Sequence, residues 1–154
     1  MRSLVAFVLA CTLGHFAFAS PSDDEAGAKR MLDEYFAAYP SLDAHRVAQY
    51  FDQPHTLVTA EKSQVMANRA EVEAALNAFF PQLKARGYGH SEAAASQVRS
   101  LDDGLVFASV RVIRYKTDGS VLQTLGATYL LRRAAEGWRI AVITIHPAST
   151  VILK

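Results

Sequence analysis

LVFASVRVIRYK (105–116), VLQTLGATYLLRR (121–133) and WRIAVITIH (138–146) stand in succession, turning at Thr117-Asp118-Gly119 and Ala135-Glu136-Gly137. β-Branched and aromatic residues favour extended backbone. Gly after Asp or Glu supplies the positive φ that a tight hairpin requires. These segments are expected to form an antiparallel meander. Residues 90–101 read as a fourth long strand, turning at Asp102-Asp103-Gly104. The chain before them has helical periodicity, so the fold class is α+β, with helices collected on one face of the sheet.

Moving outward, Asn68 and Glu71 have capping-box spacing. Behind them Val72, Ala75, Leu76, Phe79, Phe80 and Leu83 recur as on a core-facing helix. Pro81 should kink that helix, and Gly87 should end it. Short strands are expected at 55–59 and 63–66, with Glu61-Lys62 in the turn. Further upstream, Ser22 and Glu25 form another capping pair after a polar lead-in. Met31, Leu32, Tyr35, Phe36 and Tyr39 then share one helical face as far as Pro40. Ser41 or Asp43 caps a shorter helix with Val47, Tyr50 and Phe51 inward. The expected order is α-α-β-β-α-β-β-β-β.

Residues 1–19 read as a signal peptide: Arg2, an apolar run from Leu4 to Leu13, and small residues at Ala17 and Ala19. Residues 20–154 would then be one domain, exported to the periplasm or secreted, with no stable membrane insertion after cleavage. A lipoprotein signal at Cys11 is the weaker alternative. Cys11 is the single cysteine, so cleavage leaves no thiol chemistry. Losing Arg2 takes the 16 Lys and Arg to 15, equal to the 15 Asp and Glu. That balance points to no nucleic-acid partner.

Glu34-Tyr35-Phe36-Ala37-Ala38 with Asp43 and Tyr50-Phe51, Gln97-Val98-Arg99-Ser100-Leu101 through Phe107, and Gly137-Trp138-Arg139-Ile140 together resemble the nuclear-transport-factor-2-like superfamily. This superfamily includes the ketosteroid-isomerase-like and SnoaL-like polyketide cyclase domains. The resemblance implies a cone-shaped, strongly curved antiparallel sheet wrapped around three helices. Laid on the isomerase pattern, the oxyanion-donating tyrosine falls on Tyr35, the proton-shuttling aspartate on Thr59, and the protonated aspartate on Ala127. Two of the three catalytic groups are missing, which disfavours that chemistry.

The resemblance also implies a pocket under the last strands. Strand alternation then gives an inward set of Phe107, Ser109, Arg111, Ile113 and Tyr115, joined by Leu125, Ala127, Tyr129, Val142, Thr144 and His146. Val106, Ala108, Val110 and Val112 fall on the opposite face, an apolar row suited to a homodimer. The leading reading is an exported small-molecule-binding domain without necessary catalysis. Its hydrophobic, partly basic pocket uses Arg111, Tyr129, Tyr39, Ser109, Ile113 and Thr144 to hold a small apolar ligand, anionic if Arg111 is a clamp. The bland alternative for Arg111 is an ion pair with Glu92. One rival is a cyclase, dehydratase or isomerase using His146 with Tyr35 or another pocket tyrosine. The other is a dimeric protein-interaction scaffold. His45, His55 and His90 lack ligand spacing, so neither metal nor cofactor is expected. Arg132-Arg133 reads as a solvated strand end.

Overall fold

The computed structural model describes residues 20–152; the signal-peptide and Cys11 readings lie outside them. Helix α1 (Pro21–Ala38) begins earlier than expected. Ser20, not Ser22, is its cap, and it exchanges hydrogen bonds with Asp23 while Pro21 occupies the first turn. Pro40 tightens the exit into a 3-10 turn (Tyr39–Ser41), and Asp43 caps α2 (Ala44–Ala48) by accepting from the Arg46 amide at 3.0 Å. Strands β1 (Phe51–Val58) and β2 (Ser63–Met66) follow, so Phe51 belongs to a strand and not to the preceding helix. Asn68 caps α3 (Arg69–Ala85), which carries Pro81 inside it and stops at Gly87, whose φ is 84°. Then come β3 (Tyr88–Asp102), β4 (Leu105–Lys116), β5 (Val121–Ala134) and β6 (Gly137–His146). A second 3-10 turn (Ala148–Thr150) closes the described chain.

The strands form one six-stranded sheet in the order β2-β1-β6-β5-β4-β3. It is mixed, because β1 runs parallel to β6. An open mixed sheet therefore replaces the strongly curled, wholly antiparallel cone expected from sequence. The α+β class and the order of helices and strands hold, with the two 3-10 turns added. Met31, Leu32, Tyr35, Val72, Phe80 and Leu83 from the helices pack against Val106, Val110, Leu131 and Ile140 of the sheet.

That packing reverses the expected faces of β4. Val106, Ala108, Val110 and Val112 are all at most 4% exposed and form the inner row. They are core residues, not an apolar face open to a partner. Ser109, Arg111 and Ile113 lie on the other side of the sheet. Hydrophobic burial selects the uninterrupted aliphatic row for the interior, since the mixed row would bury a guanidinium.

In β5 the phase is as expected: Leu125, Ala127 and Tyr129 are buried. In β6 a bulge decides it. Leu130 pairs with Val142 and Leu131 with Ile140, leaving Ala141 as the extra residue. An extra residue shifts every later side chain to the opposite face. Ile140 is inward, and beyond the bulge Ile143 and Ile145 are inward instead of Val142, Thr144 and His146.

Arg132 and Arg133 are not a solvated pair. Arg132 makes two hydrogen bonds to buried Asp52, at 2.6 and 2.7 Å. Arg133 pairs with Asp24, which is 1% exposed and also accepts from the Gly104 amide at 2.9 Å. These buried carboxylates tie β1 and α1 to β5.

Candidate functional site

Between the inner face of the sheet and the helices lies a cavity of about 380 Å³. Its apolar wall comes from α1, α3 and the strands, including Phe51, Val72, Leu76, Phe79, Ile143 and Ile145. Polar groups are few: Tyr35, Tyr39, His55, Thr59, Arg86, Ser91, Arg114, Gln123 and Tyr129. Among the described residues the lining contains no carboxylate. An apolar cleft with a few converging polar groups is the usual form of a small-molecule site.

Arg114 is its charged centre. It continues the inner phase of β4 beyond Val112 and pairs in register with Ser91 on one side and Gln123 on the other. Its guanidinium lies over the Phe79 ring, 5.8 Å from the centroid, and Nη1 donates to Gln123 Oε1 at 3.4 Å. Nε is buried without a partner. No carboxylate pairs with Arg114 among the described residues. A planar cation stacked on an aromatic ring is held for bidentate contact with an oxyanion.

Three tyrosines form the aromatic floor. Tyr35 meets Tyr39 and Tyr129 edge to face, at 5.5 and 6.4 Å between centroids. Burial, reinforced by Tyr129 and Tyr39, raises the Tyr35 pKa well above its ordinary value although Arg114 pulls it down. Burial pushes Tyr39 up to about 12 and also raises Tyr129. All three remain protonated donors at neutral pH. Their rings are buried, and all three residues line the cavity as neutral donors.

His55 is 2% exposed on β1 and stacks edge to face on Phe51 at 4.5 Å. Its Nδ1 donates to the Ile140 carbonyl at 3.1 Å, which leaves Nε2 as the unprotonated nitrogen. Burial lowers its pKa, outweighing the backbone carbonyls that raise it, so the ring is neutral at pH 7.

The residues singled out from sequence divide between the two faces. Tyr35, Tyr39 and Tyr129 line the cavity together, as do Thr59 and Ala127, the positions corresponding to the isomerase aspartates. Arg111, Ser109, Ile113, Thr144 and His146 do not reach it. His146 instead sits over Gly126, where its ring occupies the space a Cβ would need. Its Nε2 bonds Thr128 Oγ1 at 2.9 Å and its Nδ1 bonds Thr150 Oγ1 at 2.8 Å. Ser109 Oγ accepts from the Ile152 amide at 3.0 Å. Both residues clasp the C-terminal segment. Arg111 faces Ala95 and Gly126 in register and forms no ion pair among the described residues, Glu92 pairing instead with His90 at 3.5 Å. Arg114 and His55 were missed. The signal for Arg114 was present, since it shares the parity of the unbroken aliphatic row. His55 had none, because nothing local places its strand beside β6.

Among the described residues no cluster of His, Cys, Asp or Glu could hold a metal ion, and no helix is long and apolar enough to cross a membrane.

No curated protein matches the chain in sequence. Among solved structures, an NTF2-like protein with a cystatin-like fold from Novosphingobium aromaticivorans superposes with a TM-score of 0.66 at 15% identity, covering 80% of this chain and 81% of its own. An NTF2-like protein from Pseudomonas putida KT2440 gives 0.65 at 13% identity, covering 81% and 87%. Aln2 from a Streptomyces species gives 0.64 at 18% identity, covering 86% and 96%. At such identities the likeness is one of fold. The family model described as NTF2-like protein (DUF6841) matches residues 23–148, nearly the whole described domain, and the chain belongs to that family.

Proposed function

We propose that this domain binds a small apolar molecule through an anionic oxygen, with Arg114 as the charged partner and Tyr35, Tyr39 and Tyr129 as neutral donors around it. The observation that carries this reading is Arg114 itself: an arginine with a buried, unpartnered Nε in a cavity whose lining, among the described residues, holds no carboxylate. A buried donor without a partner is unfavourable, and an anionic ligand supplies an acceptor for it. Arg86, exposed at the edge of the lining, adds a second positive charge that favours entry of an anion. The residues before Ser20 support placing this activity outside the cytoplasm.

The test uses two fluorescent probes of similar shape, 1-anilinonaphthalene-8-sulfonate and its neutral counterpart N-phenyl-1-naphthylamine. Both should bind the wild type. Arg114→Met should weaken the sulfonate by about 1.5–3 kcal/mol, the range for a charge-assisted hydrogen bond, and leave the neutral probe unchanged. Equal loss of both probes would show that Arg114 shapes the cavity without recognising charge.

A further inference from the structure

We infer that the molecule this cavity takes is an apolar monocarboxylate, its two oxygens side-on against the Nε and Nη2 edge of Arg114, and that Gln123 sets this choice by leaving Arg114 unneutralised. The inference deepens the anion-binding reading above and rests on it.

Across the inner face, Ser91 of β3, Arg114 of β4 and Gln123 of β5 stand side by side in register. Cross-strand neighbours of this kind are close enough to bond one another. Neither neighbour of Arg114 carries a charge. Ser91 Oγ shares a hydrogen bond with Tyr88 Oη at 2.8 Å. Gln123 Oε1 accepts from Arg114 Nη1 at 3.4 Å. That contact engages one end of the guanidinium plane and leaves the edge formed by Nε and Nη2, whose Nε is buried without a partner.

Arg132 of the same sheet demonstrates what such an edge binds. It presents Nε and Nη2 to the two oxygens of Asp52, at 2.6 and 2.7 Å, the planar match of fork to carboxylate that a guanidinium favours. Arg133 pairs with Asp24, and Arg139 with Glu136 at 3.5 Å. Arg114 differs from these three sheet arginines in having an amide where they have an acid. A ligand carboxylate completes it in the manner of Asp52.

Charge counting narrows the class. Arg114 and Arg86 are the arginines of the lining, with no acid beside them among the described residues. Arg86 is exposed, so water and salt screen its charge. The partly buried Arg114 offsets one negative charge. A phosphate monoester or a dicarboxylate would carry its second charge against an apolar wall, which is costly. The Tyr35, Tyr39 and Tyr129 hydroxyls stay protonated, so they can donate to a carboxylate but neutralise nothing.

The experiment compares naphthalene-2-carboxylate, 2-naphthamide and 2-naphthyl phosphate at about pH 8, where the phosphate monoester is a dianion. Each is measured by displacement of N-phenyl-1-naphthylamine from the wild-type protein. The carboxylate should bind at least about 10-fold tighter than the neutral amide, and by a similar factor tighter than the phosphate. Gln123→Glu keeps the size of the side chain and supplies the missing acid. It should weaken the carboxylate at least about 10-fold and leave the amide unchanged. The comparison on the wild type needs no variant to fold. Phosphate bound as tightly as carboxylate, or Gln123→Glu holding the carboxylate as tightly as wild type, overturns the monocarboxylate inference. The anion-binding reading then stands if anilinonaphthalene sulfonate still depends on Arg114. Carboxylate bound no tighter than amide, with sulfonate affinity indifferent to Arg114→Met, overturns both.

Discussion

Arg111 and Arg114 lie on the same strand, and a difference of three residues sends them to opposite faces of the sheet. Arg114 is stacked on Phe79 beside the buried tyrosines, with a donor left over. Arg111 lies on the face where Ser109, Thr128 and His146 hold the C-terminal segment. The two faces use similar residue types for different ends. On the outer face Thr128 and His146 bond one another and Ser109 bonds the Ile152 amide, whereas inside, donors converge on a space that protein atoms do not fill. Unsatisfied polarity in an enclosed site, more than the presence of arginine or histidine, distinguishes a binding surface from a structural one.

The most severe test of this contrast is a charge on each side. Val110→Glu places a carboxylate at a position 1% exposed and is expected to cost more than ~4 kcal/mol, abolishing the folded state. Arg111→Glu, its neighbour across the sheet, should change stability by no more than ~0.5 kcal/mol. Urea unfolding of both variants decides it. A folded Val110→Glu protein that merely loses a dimer would restore the apolar row to the surface.

Ligand affinity separates the two arginines next. Arg114→Met should weaken anilinonaphthalene sulfonate by roughly 10- to 150-fold, and Arg111→Met should leave it unchanged. A loss confined to Arg111→Met would invert the assignment of faces.

Acid stability sharpens the account of the inner face. The folded His55 pKa lies below the ordinary value of 6.5, so the unfolded chain gains a proton first as pH falls. Stability is full above pH 6.5 and declines below it until the folded His55 titrates. Asp52 contributes at lower pH. Burial raises its carboxyl, but the Arg132 hydrogen bonds and the Gln53 amide outweigh this and leave it below 3.8. Its contribution is present above pH 3.8 and is lost as pH falls through the folded value. Urea midpoints measured against pH should show the first decline in wild type and a smaller one in His55→Asn.

The smallest effect belongs to the outer clasp. His146→Ala removes the hydrogen bonds to Thr128 and Thr150, for about 1 kcal/mol in stability. Hydrogen exchange at the Ile152 amide should quicken, with probe affinity unchanged. Loss of affinity in this variant would connect the outer face to the cavity.

Much of this architecture was legible in the chain. Strand β4 spans the expected residues, and the turns at Gly104, Gly119 and Gly137 have the positive φ that their sequences imply. The tyrosines of the site were legible because a helical face bearing Tyr35 and Tyr39 must meet the sheet. The basic residue was misplaced for two reasons. In β4 the aliphatic row was assigned to the outside, although burial energy favours it as core. In β6 no local residue pattern announced the extra residue at Ala141, so alternation counted along the strand inverted every position beyond it.

The sequence by itself determined the α+β class, the order of helices and strands, the helix stops and the hairpin turns, because periodicity, capping and glycine act over a few residues. Only the tertiary structure decided that β1 runs parallel to β6, that His55 meets the Ile140 carbonyl, and that Arg114, not Arg111, faces the tyrosines. Those outcomes depend on which strands pair and where a register slips. Pairing is settled by contacts between residues distant in the chain, and one bulged residue reverses a face that local alternation alone would assign.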